Sequence, residues 1–183
     1  MQRAYAYTCY HKLLNLYTKS GHGLYTIGEP LTILQHSIEC AKYQLETQQP
    51  ELIASALLHD IGHILKTPID PNLGIDDKHE IIGANFLSAM GFSENITKPI
   101  RMHVDAKRYL CYKNPLYEMS SASKISLNLQ GGPMSKYEAL EFEKTKFFKE
   151  AIKLRIADDN AKKNTCFMKF SDFQPYILHL LTF

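Results

Sequence analysis

The sequence predicts an all-α fold, a single helical bundle over residues 1–183. Apolar residues recur at steps of three and four, the period of a helix with one buried face. Glycines and prolines separate these segments into helical lengths. The sequence has no asparagine–glycine hairpin signal and no sustained two-residue alternation, so nothing in it indicates a β-strand. Because there is also no repeat, low-complexity tract or linker, one domain is the simplest organisation for 183 residues.

The first half of the chain divides at its prolines. The stretch LTILQHSIECAKYQLETQQ (31–49) has helical spacing, and Pro30 is expected in its first turn, where a missing N–H had no partner. A second helix is expected to open near Pro50 and to continue through ELIASALLHDIGHIL (51–65). TPIDPNLGIDDK (67–78) contains two prolines, a glycine and four acids or amides, so it is predicted as a loop.

Two further helices are predicted before residue 115. HEIIGANFLSAM (79–90) is expected to stop at Gly91, in the C′ position that glycine favours. TKPIRMHVDAKRYL (97–110) is expected to be capped by Thr97, with Pro99 inside the first turn.

The last third of the chain carries clear stop and start signals. YEMSSASKISLNLQ (117–130) is expected to end at the Gly-Gly-Pro of 131–133. SKYE (135–138) has the form of a capping box and is expected to open a long helical tract through FFKEAIKLRIADDNAKK (147–163). A short helix, DFQPYILHLL (172–181), is expected to close the bundle.

Composition excludes several classes of partner. The net charge of +2 comes from scattered lysines and arginines, so nothing indicates binding to nucleic acid or to an anionic membrane. No apolar run approaches the roughly 20 residues of a membrane span, and the first residues form no apolar export signal. The four cysteines are widely spaced, as free thiols in a reducing compartment are. We therefore expect a cytoplasmic protein; the sequence leaves its oligomeric state open.

The eight residues ALLHDIGH (56–63) set three ionisable side chains in an apolar segment. In a helix His59 and His63 share one face, and Asp60 is offset from His59 by about 100°. A lone buried histidine is usually explained by a hydrogen bond. An ionised carboxylate among apolar neighbours is different, because it is costly to bury unless it is paired or bound to a metal. The motif alone therefore makes a metal site a serious alternative to a structural polar cluster.

Other predicted helices carry further histidines and aspartates. Each of them alone has a structural explanation, such as an exposed first turn or a solvated acidic patch. Together with ALLHDIGH they supply four imidazoles and two carboxylates, enough donors for two transition-metal ions that share a carboxylate. The additional candidates are His36, His79, His103 and either Asp158 or Asp159.

The pattern H…HD…D with LLHDIGH at its centre resembles the HD superfamily of metal-dependent, all-helical proteins, and it makes the predicted domain HD-type, with a core at about 25–163. The resemblance implies that one metal is held by His36, His59, Asp60 and Asp158. It also implies that a second metal is held by His79 and His103, with Asp60 as the bridge. Asp158 is preferred to Asp159 because Lys162 follows it by four residues, as in the family.

Two di-metal branches of the superfamily compete. One is hydrolytic, a di-metal phosphohydrolase or phosphodiesterase that acts on a nucleotide or small phosphate ester. The other contains the mixed-valent di-iron oxygenases, among them myo-inositol oxygenase and the phosphonate-cleaving HD oxygenases. Four segments resemble the phosphonate-cleaving group, namely LYTIGEPLTILQH (24–36), HVDAK (103–107), SASKISLNLQGGPM (121–134) and LRIADDNAK (154–162).

That resemblance implies two iron ions in a mixed-valent Fe(II)/Fe(III) state, O2 as co-substrate and a small organophosphonate substrate. The substrate is expected to be a 1-hydroxy-2-(amino or trimethylammonio)ethylphosphonate, which yields phosphate and glycine or an N-methylated glycine. Tyr25 is expected to occupy an open iron site until substrate displaces it. Glu29 is expected to face the amine or ammonium end of the substrate.

The anion site is supported partly by spacing. Lys107 lies one helical turn from His103, and His63 lies one turn from His59, so both can reach one cavity. Ser123, Ser126 and Gln130 follow the i, i+3, i+7 spacing of one helical face. From spacing alone, a plain helix surface is the preferred interpretation. The resemblance to the QGGPM-type segment favours binding of the phosphonate group by these side chains.

Overall fold

The computed structural model describes residues 2–23, 31–66, 75–161 and 167–181. Within these ranges the chain is helical and contains no β-strand, which confirms the all-α prediction. The α-helices are α1 (Gln2–Ser20), α2 (Ile33–Gln44), α3 (Pro50–Leu58), α4 (Ile61–Leu65), α5 (His79–Ala89), α6 (Glu94–Lys113), α7 (Ser121–Leu129), α8 (Lys136–Glu143), α9 (Phe148–Asn160) and α10 (Gln174–Leu181). Short 3-10 turns cover Leu45–Thr47 and Phe170–Phe173.

Most of the predicted stop and start signals are confirmed. Ser135 and Glu138 form the reciprocal capping box at the start of α8. Gly91 and Gly131 follow α5 and α7 with φ of +86° and +96°, a conformation that glycine adopts without steric cost. The closing helix α10 packs against α1 and α3.

Several predicted boundaries are wrong. Helix α2 begins at Ile33 behind a Thr32 capping box, two residues later than Leu31, where the predicted stretch begins; Pro30 itself lies outside the described residues. Helix α6 begins earlier than predicted, at Glu94, with Ser93 instead of Thr97 at the N-cap position, although the Ser93 side chain makes no capping hydrogen bond. Pro99 therefore lies inside the helix instead of in its first turn.

Two predicted helices are each divided. The expected continuous helix through 51–65 is broken between α3 and α4 at His59 and Asp60. The tract from 135 to 163 is interrupted between α8 and α9, where Thr145 Oγ1 donates to the exposed end of α8 at the Phe142 carbonyl. Burial of Phe147 beside this turn favours the break over a straight helix.

Helix α1 was not predicted as a separate element. Its apolar face is buried nonetheless, with Leu13 and Tyr17 fully inaccessible, and the Tyr17 hydroxyl donates to the Leu57 carbonyl at 3.0 Å. This bond fixes α1 to α3, the helix that leads into the HD motif.

Two apolar clusters lie on either side of the region that holds the polar residues of the HD motif. The larger cluster joins α1, α2, α3, α5 and α10, and the smaller one lies where α6 packs against α8 and α9. The polar residues of the HD motif lie between them, so the site is positioned by rigid helices. In the described part of the chain no helix has the length and apolarity to cross a membrane.

Candidate metal centre

Six buried side chains from five places in the fold meet between the helices. His36 comes from α2, and His59 and Asp60 come from the junction of α3 and α4. His79 is the first residue of α5, His103 lies in the middle of α6, and Asp158 lies near the end of α9. Their relative exposures are all below one tenth, in the order His36 0%, His59 0%, Asp60 0%, His79 7%, His103 2% and Asp158 1%.

The junction between α3 and α4 brings His59 and Asp60 into the same centre. Asp60 has φ −99° and ψ 11°, the sparsely populated bridge region in which many active-site residues lie. His59 keeps helical φ and ψ of −59° and −34°, so the chain leaves the helical conformation at Asp60. His59 Nε2 lies 3.1 Å from Asp60 Oδ2.

One group of donors surrounds Asp60 Oδ2. His36 Nε2 lies 3.7 Å from this oxygen and 3.2 Å from Asp158 Oδ1. His59 Nε2 lies 4.0 Å from Asp158 Oδ1. We call these four residues the first subsite.

A second group surrounds the other oxygen of the same carboxylate. His79 Nε2 lies 3.5 Å from Asp60 Oδ1, and His103 Nε2 lies 3.9 Å from it. The two imidazole nitrogens are 3.1 Å apart, close to the separation of two nitrogens bound at about 2.1 Å to one ion at a right angle. We call His79, His103 and Asp60 the second subsite.

The hydrogen bonds behind the imidazoles fix their tautomers. His36 Nδ1 lies 3.1 Å from the Ala161 carbonyl, His59 Nδ1 2.9 Å from the Ala56 carbonyl, and His103 Nδ1 2.6 Å from the Ile100 carbonyl. A carbonyl can only accept, so each Nδ1 carries the proton and each Nε2 turns a lone pair toward the centre. Metal-binding histidines have this arrangement.

The charge states also suit a cation. Burial acts to raise the pKa of Asp60, but His59, His63 and His79 outweigh it and hold that pKa well below its usual range. Burial, reinforced by His79 and His59, lowers the pKa of His103 well below its ordinary value. Burial acts to lower the pKa of His59, but Asp60 outweighs it and raises that pKa, so a cation that binds Nε2 of His59 must displace a proton from this ring.

A metal ion fits the polar atoms that the fold leaves in the centre. Both oxygens of Asp60 and Nε2 of His59 are buried, and none of them makes a hydrogen bond in the structure. Nε2 of His79 and Nε2 of His103 face each other with lone pairs, a repulsive contact that a cation between them would turn into two bonds. The nitrogen and oxygen donor set fits transition metals such as iron.

The structure explains why the HDIGH motif has a glycine at position 62. A Cβ on this residue would lie 2.0 Å from the His79 carbonyl oxygen and 2.7 Å from its carbon. Only a residue without a side chain lets α4 approach the first turn of α5 this closely. The glycine therefore brings His79 to Asp60.

The structure distinguishes between the two adjacent aspartates. Asp158 Oδ1 faces His36, while Asp158 Oδ2 accepts a 2.6 Å bond from Arg155. Asp159 is directed instead to Arg155 and to Tyr117, whose hydroxyl donates to it at 2.7 Å. The geometry therefore favours Asp158 as the donor in the first subsite.

The predicted anion-binding residues are only partly brought together. Lys107 Nζ donates to Ser126 Oγ at 2.8 Å, and Ser123 Oγ accepts from Arg155 at 3.4 Å. Burial, followed by the charge of Arg155, lowers the pKa of Lys107 to about 8. Gln130 follows α7 with a buried Oε1 that makes no hydrogen bond in the structure.

His63 lies on the other side of Asp60, 4.0 Å from Oδ1, and its ring stacks on His79 with centroids 4.0 Å apart. It does not project from one continuous helix with His59, as had been predicted, because the chain breaks between them. Tyr25 and Glu29 lie outside the described residues.

Sequence reasoning missed three side chains at this centre. Cys40, one turn after His36, places Sγ 3.5 Å from His36 Nε2, and its i+4 spacing was a usable signal. Arg155 holds Asp158 from three residues away on α9. Asp77 bonds to both His63 and His79, and nothing in its acidic loop distinguished it from a solvated residue.

Comparisons with known proteins agree with this arrangement. The HD domain model matches residues 33–159. A hydroxymethylphosphonate dioxygenase of Gimesia maris is 40% identical over 161 residues, covering 85% of this chain and 79% of the relative. A [1-hydroxy-2-(trimethylamino)ethyl]phosphonate dioxygenase (glycine-betaine-forming) of Leisingera caerulea is 42% identical over 144 residues, covering 75% and 72%. An uncharacterised protein of Acanthamoeba polyphaga mimivirus is 40% identical over 157 residues, covering 82% and 71%.

Proposed function

The chain belongs to the HD domain family, and we propose that it is a di-iron, O2-dependent oxygenase that cleaves the C–P bond of a small 1-hydroxyphosphonate. Two of its relatives are named as dioxygenases of such phosphonates, and they match most of the chain. An oxygenase is therefore the enzyme class that its family supports best.

The observation that carries the proposal is the position of Asp60 between two sets of imidazoles. One oxygen faces the first subsite and the other faces the second. With a single ion in the first subsite, the imidazoles of His79 and His103 would have no ion to bind. In this proposal His36, His59, Asp60 and Asp158 hold one iron, and Asp60, His79 and His103 hold the other, as a mixed-valent Fe(II)/Fe(III) pair.

The iron pair, when bound, supplies activation of O2 and the oxidising power to remove hydrogen from the carbon bonded to phosphorus. The overall change converts a 1-hydroxyphosphonate and O2 into a carboxylate, phosphate and a proton. The carbon–phosphorus bond breaks, and the two oxygen atoms of O2 are taken up by the products. The protein must therefore bind an anionic head group beside the metal centre and keep its carbinol carbon next to the irons.

Lys107 is the residue that we assign to the phosphonate head group. Only 3% of its surface is exposed, and its ammonium group lies beside the Ser126 hydroxyl. A buried ammonium attracts a dianion more strongly than an exposed one, because little water screens the charge. Ser123, Ser126, Gln130 and His63 supply further hydrogen-bonding groups in this proposal.

The opposite end of the substrate is assigned to residues before α2. Glu29 would pair with an amino or trimethylammonio group, and Tyr25 would occupy the open iron position until substrate displaces it. The expected products are then phosphate and glycine or an N-methylated glycine. The relative named for hydroxymethylphosphonate indicates that a substrate without an amine also belongs in the test.

The test is phosphate release by the iron-loaded protein with and without O2. Hydroxymethylphosphonate, 2-amino-1-hydroxyethylphosphonate and its trimethylammonio analogue are each supplied, with a simple phosphate monoester as the comparison. Phosphate release from a 1-hydroxyphosphonate that needs O2 supports the oxygenase. Equal release without O2, or release only from the ester, would assign the chain to the hydrolytic branch.

The metal assignment has its own measurement. Elemental analysis is expected to find two iron ions per chain, and electron paramagnetic resonance is expected to detect a mixed-valent pair after partial oxidation. One ion per chain after reconstitution would contradict the two-subsite proposal.

A further inference from the structure

Asp77 contacts two functional histidines with its two carboxylate oxygens. His79 Nδ1 lies 2.7 Å from Oδ1, and His63 Nδ1 lies 3.0 Å from Oδ2. The backbone N–H of His79 also donates to Oδ1, at 3.2 Å. Lys66 pairs with Oδ2 at 2.5 Å and donates to the Asp77 carbonyl at 2.9 Å.

The backbone of this segment is shaped to make those contacts. Lys78, between Asp77 and His79, has φ +52°, the left-handed region that residues other than glycine seldom adopt. The turn lets the Asp77 side chain reach both the backbone N–H and the ring of a residue two positions later. A carboxylate in this place is held firmly, by Lys66 on one side and His79 on the other.

His79 differs from the other three histidines of the centre in what lies behind its ring. His36, His59 and His103 each turn Nδ1 to a neutral backbone carbonyl. His79 turns Nδ1 to a carboxylate. A charged acceptor makes a stronger hydrogen bond and increases the basicity of the opposite ring nitrogen. Of these four histidines, His79 is therefore the one whose ring is held by a charged acceptor.

We propose that Asp77 is a positioning residue that strengthens the binding of the second ion through His79 and at the same time orients His63 toward the substrate. This inference rests on the proposed function, which supplies the second ion and the substrate. His63 stacks on His79, so one carboxylate fixes both rings as a unit. Through His79 and His63, Asp77 thus links the second subsite to the side of the centre proposed for the phosphonate head group.

The test compares Asp77→Asn with Asp76→Asn. An asparagine offers one acceptor oxygen, so it can serve His79 or His63 but not both, and it carries no charge. Asp76 is a matched control, because it is the adjacent carboxylate and pairs with Lys78 at 2.6 Å. Asp77→Glu keeps the charge and shifts it by one methylene, which separates charge from placement.

Mn(II) titration followed by electron paramagnetic resonance counts free and bound ions without requiring turnover. Asp77→Asn is expected to weaken the second ion by roughly 10- to 100-fold, the usual effect of removing a carboxylate behind a metal-bound histidine. The first ion should bind as in the unmutated protein. Asp76→Asn should change neither, and Asp77→Glu should recover part of the lost affinity. Circular dichroism establishes that each variant is folded.

A kinetic readout then tests the second role. With both sites saturated by iron, Asp77→Asn should still raise the KM for a 1-hydroxyphosphonate, since one acceptor oxygen cannot hold His63 and His79 together. Equal ion affinity and equal KM in Asp77→Asn and Asp76→Asn would overturn the inference. If the unmutated protein bound one Mn(II) or released no phosphate, the proposed function would fail instead, and the two failures are distinct.

Discussion

The two subsites on either side of Asp60 are built in different ways. The first is made from almost fully buried residues of α2, α9 and the α3–α4 junction, and His36 is tied to the Ala161 carbonyl 125 residues away. The second depends on the first residue of α5, which is slightly exposed and is held by the adjacent Asp77. The first subsite is thus fixed by the packing of α2, α3 and α9, and the second by a short local network.

Because of this difference, we expect mutations in different parts of the fold to weaken the binding of each ion. Changes in the core of the bundle should affect the first subsite together with the stability of the fold. Changes around α4 and α5 should affect the second ion while the first is retained. Asp60 belongs to both subsites and should not show this separation.

Replacing Asp60 by alanine is expected to have the largest effect, loss of both ions. Both its oxygens face metal-binding atoms, so its removal should cost more than the roughly 10- to 100-fold in affinity that loss of an outer-shell partner causes. O2-dependent phosphate release should fall to background. Elemental analysis after reconstitution and dialysis measures the number of ions per chain.

His103→Ala is the matched comparison, because it removes a donor from the second subsite alone. It should lose chiefly one ion and keep the other. Full ion content in Asp60→Ala would show that Asp60 is not the bridge, and loss of both ions in His103→Ala would show that the subsites do not form separately.

Gly62→Ala is expected to have the next largest effect, confined to the second subsite. The added methyl group would meet the His79 carbonyl at 2.0 Å, so α5 must move and carry the imidazole away from Asp60. Overpacking of this kind costs about 1–3 kcal/mol of stability. Thermal unfolding should report that loss, and Mn(II) titration should show a weakened second ion beside a normal first one.

Gly23→Ala is the control, since the nearest atom to its added Cβ is 4.0 Å away. It should leave both ion affinities unchanged. A Gly62→Ala protein with normal stability and two tight ions would contradict the close approach of α4 to α5.

The sequence predicted the helices better than the junctions between them. Periodicity and capping residues identified α5, α7 and the start of α8, because those signals are local. Neither residue of the break, His59 or Asp60, is a glycine or proline, and Gly62 lies beyond it, inside α4. The break follows from tertiary packing, which sequence spacing does not report.

The site shows the same division. The resemblance named the six residues that the structure brings together, and their assignment as ligands is still a prediction. Arg155 was missed although its pairing with Asp158 spans only three residues of α9, because the same spacing also fits a solvated ion pair. Asp77 was missed because nothing in its acidic loop distinguished it from a solvated residue. The roles of Tyr25 and Glu29 also remain predictions, since both lie outside the described residues.

Lys107→Met is expected to have the smallest effect on the metal centre and to act on substrate alone. Both ions should bind normally, because the Lys107 ammonium donates to Ser126 and is not one of the proposed metal ligands. Losing a charge-assisted contact of about 1.5–3 kcal/mol should raise the KM for a phosphonate roughly 10- to 100-fold. Thermal stability should stay equal or increase, since a buried charge is removed.

The pH dependence sharpens this prediction. The pKa of Lys107 is lowered to about 8, chiefly by burial, so the ammonium loses its proton as pH rises through that value. The KM of the unmutated protein should therefore be flat below about pH 7 and increase above pH 8, approaching tenfold for each pH unit. Folding stability should increase over the same range, because between pH 8 and the ordinary lysine value near 10.4 the unfolded chain binds the extra proton. Lys107→Met removes both trends, and it also corrects for titration of the substrate itself. If its KM rose with pH as steeply as that of the unmutated protein, the titrating group would lie elsewhere, and the head-group side of the centre would not depend on this lysine.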